Sequence, residues 1–445
     1  MPQQVSQKKG ILVELKKLAH SKIVKNFFIY SFGSLLVRGI SILFAPITMS
    51  ILDPSDYGII ALSNSFVGIL AVLFGLGLRG FLSMEYFHLD SAQRKTTINN
   101  IIFLYLAVSV PLTFFFCLSP GIINKFIFFN KTQNTVVVLG LLYAFFSFFT
   151  ELFYNVLGYR ERASKMAIVQ IFSAVLTIGI TLFFLLHLKW GVLSIIAGQL
   201  IGIIFVYFSA LHSYFKTSCH LHIDLKSFSL SYGRYLKIGV AFIPGNLCGW
   251  ILASADRWVL ARHAGMHDVG IYSIAAVFGQ LFQLLILLPT TRAYVPAALN
   301  KFAKNKKNLR ESNKWNWKNM IASMLGLFVL ISLGYLICKP ILHFILPQRY
   351  QPTIGYIWLI LMGYIFLLGE QFTSIPILFH KRVRFHALSL FVPSLLNLGL
   401  NFALVPYFNI TGCILATLVS YACYFFIKLA YGFYLQKDSV GFLDK

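Results

Sequence analysis

The chain has 445 residues, of which 58% are hydrophobic and only 12% charged, with a mean hydropathy of +0.75. A soluble domain carries about 25% charged residues, so these proportions exclude a water-soluble globular protein. Lysine and arginine number 38 against 14 acidic residues, a formal net charge of +24, which in a soluble chain would raise nucleic-acid binding and is here read first as membrane topology.

Residues 1–25 are polar and basic, and the apolar run that follows is long enough to be a span, so no cleavable signal peptide is expected. Ile11, Leu12, Leu15 and Leu18 sit at helical spacing among Lys9, Lys16 and Lys17. That pattern fits equally a helix lying on an anionic inner leaflet and a disordered basic tail. Windows of transmembrane length then predict twelve spans, at 26–47, 58–78, 97–118, 135–157, 166–186, 191–213, 238–260, 270–291, 319–337, 356–379, 386–405 and 412–434. With both termini cytoplasmic, the inner segments hold 28 lysines and arginines and the outer loops 6. An asymmetry of that size over short loops sets the orientation and accounts for most of the net charge, leaving no case for nucleic acid.

The first outer loop carries Asp53 and Asp56 in Leu52-Asp53-Pro54-Ser55-Asp56-Tyr57-Gly58. A membrane glycosyltransferase could place a catalytic acid there, but a proline turn with a helix N-cap at Asp56 is the simpler reading. The outer loops are too short to form a soluble catalytic domain, so no enzyme is expected. The six cysteines are scattered without paired or histidine spacing, and no disulfide framework, metal or cofactor is expected.

An internal repeat is visible. Asp56-Tyr57-Gly58-Ile59 at the second span matches Asp268-Val269-Gly270-Ile271 at the eighth, an offset of 212 shared by Lys25 with Lys237, Gly33 with Gly245 and Phe66 with Phe278. Arg160 and Arg162 match Arg382 and Arg384 at an offset of 222. Each copy holds six spans and starts on the cytoplasmic side, which predicts two parallel, pseudo-symmetric lobes around a central cavity, the architecture of a carrier. The expected organisation is a basic segment 1–25, a first lobe 26–213, a cytoplasmic linker 214–237, a second lobe 238–434 and a cytoplasmic tail 435–445.

Charged residues inside spans mark the transport path, because the bilayer otherwise excludes them. Arg38 lies about 18 Å into the first span at 1.5 Å per residue. Glu370 is as deep in the tenth, and Asp256 and Arg257 are neighbours in the seventh. Neighbours on a helix diverge by about 100°, so one of that pair is expected to face the cavity and the other to pair elsewhere. Arg257 is expected to share its face with Asn246 and Gly249. Arg79 and Arg292 close spans two and eight, Glu151 is the approximate repeat mate of Glu370, and Lys428 lies in span twelve. Arg38, Arg257, Arg79, Arg292, Lys428 and Asn246 are the expected substrate contacts. Glu370, Asp256 and Glu151 are the expected carriers of a coupling proton or sodium ion.

Lys25-Asn26 entering a span with Gly33-Ser34, the turn 52–58, Pro244-Gly245-Asn246, Asp256-Arg257 and Val269-Gly270-Ile271-Tyr272-Ser273 together resemble the bacterial Wzx-type polysaccharide flippases. That family shares a superfamily with the MATE exporters and the peptidoglycan-precursor flippase. The resemblance implies an all-α V of two six-helix bundles with a cationic cavity in the bacterial inner membrane. It also implies turnover of an undecaprenyl-diphosphate-linked oligosaccharide, an O-antigen or other surface-polysaccharide unit, from the cytoplasmic to the periplasmic leaflet. It places Asp256 and Arg257 at the family's Asp-Arg pair and Arg38 at its deep arginine. The implied partners are the lipid-linked glycan, the bilayer and the polysaccharide polymerase machinery, and a monomer is expected because two lobes complete a cavity. A MATE-like antiporter of organic cations is the alternative, against which the deep arginines argue.

Overall fold

The computed structural model describes residues 22–160, 162–218, 225–305 and 308–441, and every regular element among them is helical. The amphipathic 11–18 segment, the end of the tail and part of the 214–237 linker lie outside the described residues. The elements are α1 (Lys22–Ile51), α2 (Pro54–Gly75), α3 (Leu78–Glu85), α4 (Ser91–Leu118), α5 (Pro120–Ile127), α6 (Asn134–Tyr159), α7 (Ala163–Leu186), α8 (Val192–Ser218) and α9 (Leu225–Val240). After them come α10 (Ile243–Trp250), α11 (Asp256–His263), α12 (Met266–Phe282), α13 (Val295–Lys304), α14 (Leu309–Ile345), α15 (Pro352–Phe379), α16 (Val383–Leu388) and α17 (Phe391–Gly441).

Ten stretches among the described residues are helical, long and apolar enough to cross a membrane, so this is a multi-pass membrane protein. Twelve spans were expected, and the difference falls at two places. Residues 384–436 form one continuous apolar stretch holding both of the last two expected spans, but Asn409 (φ 47°, ψ −123°) breaks the helical path inside α17 between them. The first expected span lies within α1, whose apolar part is described as Leu36–Ile51.

The N-cap expected at Asp56 is instead Asp53. Pro54 supplies a preset φ for the first helical position and starts α2 three residues early. Asp56 then sits in the first turn, where its carboxylate accepts the Asp53 N–H at 3.0 Å. The Asp53 carboxylate is bound by Arg349, whose other nitrogen donates to the Met49 and Ser50 carbonyls at 2.9 and 2.7 Å.

The chain divides into two compact units. One comprises 1–45, 78–117 and 139–239, and the other 46–77, 118–138 and 240–445. These units cut across the sequence halves, because α2 packs with the second half, and one boundary falls at Pro46 inside α1. In the first unit, α7 and α8 approach closely enough that a Cβ on Gly202 would lie 1.9 Å from Thr177 Oγ1.

In the second unit the repeat becomes a contact. A Cβ on Gly58 would lie 1.9 Å from the Met266 carbonyl oxygen, and one on Gly270 would lie 1.8 Å from the Pro54 carbonyl oxygen. Gly58 with Gly270, and Pro54 with Met266, are pairs at the same offset of 212. Helices α2 and α12 therefore cross at glycine about a local two-fold axis, each presenting to the other the same residue of its repeat.

Candidate functional site

Five cations and three carboxylates were expected to share the transport path. The structure joins all three carboxylates to three of the cations. After α2 the chain turns at Leu76 and Gly77 in left-handed backbone (φ 46° and 68°), and the first unit resumes with a short helix, α3, that has Arg79 in its first turn. Arg79 forms an ion pair with Glu151 on α6, the two side chains being 36% and 43% exposed.

In the second unit Asp256 and Arg257 do not diverge as expected. Asp256 Oδ1 accepts the Arg257 backbone N–H at 2.8 Å and its Nη1 at 3.3 Å, while Oδ2 accepts the Tyr272 hydroxyl. Arg257 Nη1 also donates to the Ala253 carbonyl at 2.6 Å, and the guanidinium lies 5.6 Å from the Tyr272 ring centroid. The cause is local. Ile251–Ala255 is a π-helical turn that places an extra residue between α10 and α11. The side chains after it are rotated out of phase with those before it, so Asn246 is exposed while Arg257 is buried, and the expected common face is absent.

The third pair is the most enclosed. Lys428 on α17 is fully buried and meets Glu370 Oε1 on α15. Its ammonium also reaches Tyr424 Oη at 2.8 Å, Ser374 Oγ at 3.1 Å and His386 Nδ1 at 3.1 Å. Three ammonium protons face these four groups, so the contacts are shared rather than all donated at once. Glu370 Oε1 takes a further bond from Ser374 Oγ at 2.7 Å, and Oε2 takes one from Gln371 Nε2 at 2.8 Å. Every acceptor of the carboxylate is engaged, as burial of a charge demands.

Arg38 and Arg292 are different. Both are exposed, and neither has a carboxylate partner among the described residues. Arg292 lies in a second π-helical segment, Thr290–Tyr294, within a run that continues into α13. It therefore does not end its helix as Arg79 follows the end of α2, and the two are not equivalent in structure although they lie at nearly matching positions of the repeat. Asp53, the other acid of the first outer loop, is held by Arg349, which fits a structural role.

Sequence reasoning missed Tyr272, Gln371, Ser374, His386 and Tyr424. Ser374 follows Glu370 by four residues and Lys428 follows Tyr424 by four, a helical spacing that marks shared faces once the spans are placed. Tyr272 meets Asp256 across a turn, for which no local signal exists. No group of three or more metal-binding side chains occurs among the described residues.

Known proteins agree with this architecture. Over 94% of its length the chain is similar in structure to the lipid II flippase MurJ in an inward closed conformation, with a TM-score of 0.69, 17% identity and 91% of that chain covered. It is similar over 92% to an inward-facing multidrug resistance MATE transporter of the MOP superfamily, with a TM-score of 0.63, 16% identity and 95% coverage. A MOP superfamily transporter from Pyrococcus furiosus gives 0.57, with 16% identity over 93% of this chain and 96% of that one. Comparison with curated protein sequences returns no match. At these identities the structural likenesses establish the fold, an all-helical one shared by MATE and MurJ transporters. The polysaccharide biosynthesis protein family model matches residues 23–302, well over half of the chain, and the chain belongs to that family.

Proposed function

We propose that this protein is a flippase that carries an undecaprenyl-diphosphate-linked oligosaccharide from the cytoplasmic to the periplasmic leaflet of a bacterial inner membrane, with both termini cytoplasmic. The observation that carries the reading is the charge balance of the buried and membrane-depth side chains. Asp256, Glu370 and Glu151 are each held by a cation, whereas Arg38 and Arg292 keep exposed guanidiniums with no carboxylate partner among the described residues. The surplus is positive. An arginine at membrane depth faces protein interior or water rather than lipid, and its planar fork matches the oxygens of a diphosphate.

Arg38 and Arg292 are the guanidiniums offered to an anionic headgroup, and Asn246 is an amide donor for glycan hydroxyls. Arg257, Arg79 and Lys428 reach an anion only on leaving their carboxylates. A carrier of organic cations needs the opposite balance, with carboxylates left open for the ligand. Glu370 is the carboxylate assigned to a coupling proton, because it is buried in the larger titratable network, with Lys428, Tyr424 and His386 around it, whereas buried Asp256 is bonded to Arg257 and Tyr272. Membership of a polysaccharide biosynthesis family and the MurJ-like fold support a lipid-linked cargo.

The test is leaflet-resolved turnover in proteoliposomes of a fluorescent undecaprenyl-diphosphate glycan and, separately, uptake of a fluorescent organic cation. The reading predicts turnover of the lipid-linked glycan and no cation transport. Cation transport without glycan turnover, under both proton and sodium gradients, contradicts it.

A further inference from the structure

The two oxygens of Glu370 lead in different directions. Oε1 faces Lys428 and Ser374, while Oε2 accepts from Gln371 Nε2 at 2.8 Å. Gln371 Oε1 in turn accepts the Thr291 hydroxyl at 2.8 Å, and that hydroxyl lies 2.9 Å from the Leu287 carbonyl oxygen. A threonine has one proton to give, so it cannot serve both acceptors fully. Leu287 and Thr291 belong to the two π-helical segments, Gln283–Leu287 and Thr290–Tyr294, the second of which carries Arg292.

Two arrangements satisfy this chain of groups. With Glu370 ionised, Gln371 Nε2 donates to the carboxylate, Thr291 donates to Gln371 Oε1, and the Leu287 carbonyl receives little. With a proton from water on Glu370 Oε2, the carboxyl O–H donates, so the amide must present Oε1 to it. A half-turn of the amide, which leaves its shape almost unchanged, does so. Nε2 then donates to Thr291 Oγ1, and the freed hydroxyl proton goes to the Leu287 carbonyl. One proton has been added and no covalent bond besides O–H has formed; Glu370, Gln371 and Thr291 each keep a partner in both states, and the Leu287 carbonyl gains the hydroxyl only in the second. The cost of an unpaired group falls on buried Glu370, whereas the Gln371–Thr291 bond lies on an exposed face. A threonine bonded to the carbonyl four residues back bends its helix, so the second state alters the backbone just before Arg292.

The geometry points to Gln371 and Thr291 as positioning residues that transmit the protonation of buried Glu370 to the π-helical segment bearing Arg292. This rests on the reading of Glu370 as the titrating carboxylate. The titratable groups facing Glu370 are Lys428 and Tyr424 from α17 and His386 from α16. Helix α14 meets this part of α15 with Trp317, Met320 and Met324, which do not titrate. Lys428 stays on Oε1 in both states, so the added proton is read out on the Gln371 side alone.

The test is hydrogen exchange of the backbone amides across 287–295 in the reconstituted full chain, compared among wild type, Glu370→Gln, Gln371→Leu and the double variant. Glu370→Gln presents an N–H donor where the protonated acid presents O–H, so it mimics that state. The expected result is a change of about threefold or more in exchange for Glu370→Gln over wild type, which disappears when Gln371→Leu is also present. Equal effects of Glu370→Gln with and without Gln371 overturn the proposal. Should Glu370→Gln fail to fold, wild type and Thr291→Val are compared at mildly acid and mildly alkaline pH, after correction for intrinsic exchange. A pH-dependent difference at 287–295 in wild type, absent in Thr291→Val, supports the relay, and the same difference in both overturns it. None of these readouts needs turnover, so failure of the relay is separable from failure of the flippase assignment.

Discussion

Glu151 and Glu370 lie 219 residues apart at roughly equivalent points of the two repeats, and each is bound to a cation, yet their surroundings differ. The Arg79–Glu151 pair is about two-fifths exposed, whereas Lys428 is wholly buried and the Glu370 side chain is 7% exposed. Around Glu370 the chain has gathered Ser374, His386, Tyr424 and Gln371. Around Glu151 the structure gives the carboxylate one charged partner, Arg79. A repeat conserves where a carboxylate sits, but its environment decides what it does. An exposed pair can separate and re-form at small cost, while a buried pair either stays together or changes protonation.

The largest effect expected from this contrast is in Lys428→Ala. It leaves the Glu370 carboxylate buried without its cation and should cost on the order of 3–5 kcal/mol, measured as loss of thermal stability in detergent. Replacing both residues by methionine should restore most of that loss, because the pair's attraction does little more than offset its desolvation. Next come Gly58→Ala and Gly270→Ala, whose added methyls collide with the Met266 and Pro54 carbonyls. Each should destabilise by about 1–3 kcal/mol, and the two should agree closely, since the crossing is symmetric. Markedly unequal losses would show that the repeat contact is not a true two-fold. The smallest effect is expected for Arg79→Ala, which should change stability by less than about 1 kcal/mol. A loss as large as that of Lys428→Ala would erase the distinction between the pairs.

Most of the spanning helices were legible in the sequence, because apolar length acts locally and additively. The repeat at offset 212 was legible too, and it corresponds to a physical contact at Gly58 and Gly270. What sequence patterns could not carry was register. A single π-helical turn at Ile251–Ala255 separates Asn246 from Arg257, and a periodicity of 3.6 continued through it assigns them wrongly to one face. The start of α2 was misplaced because Pro54 and two nearby aspartates allow two caps, and the Asp53 carboxylate is bound by Arg349, nearly 300 residues away, a partner no local pattern indicates. Which cation pairs with which acid was equally hidden. Lys428 and Glu370 are 58 residues apart, and depth alone marked both as functional without indicating that each neutralises the other.

The central claim is that an anionic headgroup is handled by the arginines left without carboxylates rather than by the paired ones. Its most direct measurement is leaflet-resolved turnover of the lipid-diphosphate glycan across Arg38→Ala, Arg292→Ala and Arg79→Ala at matched reconstitution. The account predicts that Arg38→Ala and Arg292→Ala each lower apparent substrate affinity about tenfold, the scale of one charge-assisted hydrogen bond, with stability unchanged, and that Arg79→Ala has the weaker effect. Turnover indifferent to both Arg38→Ala and Arg292→Ala, in a wild type that flips the glycan, would contradict it.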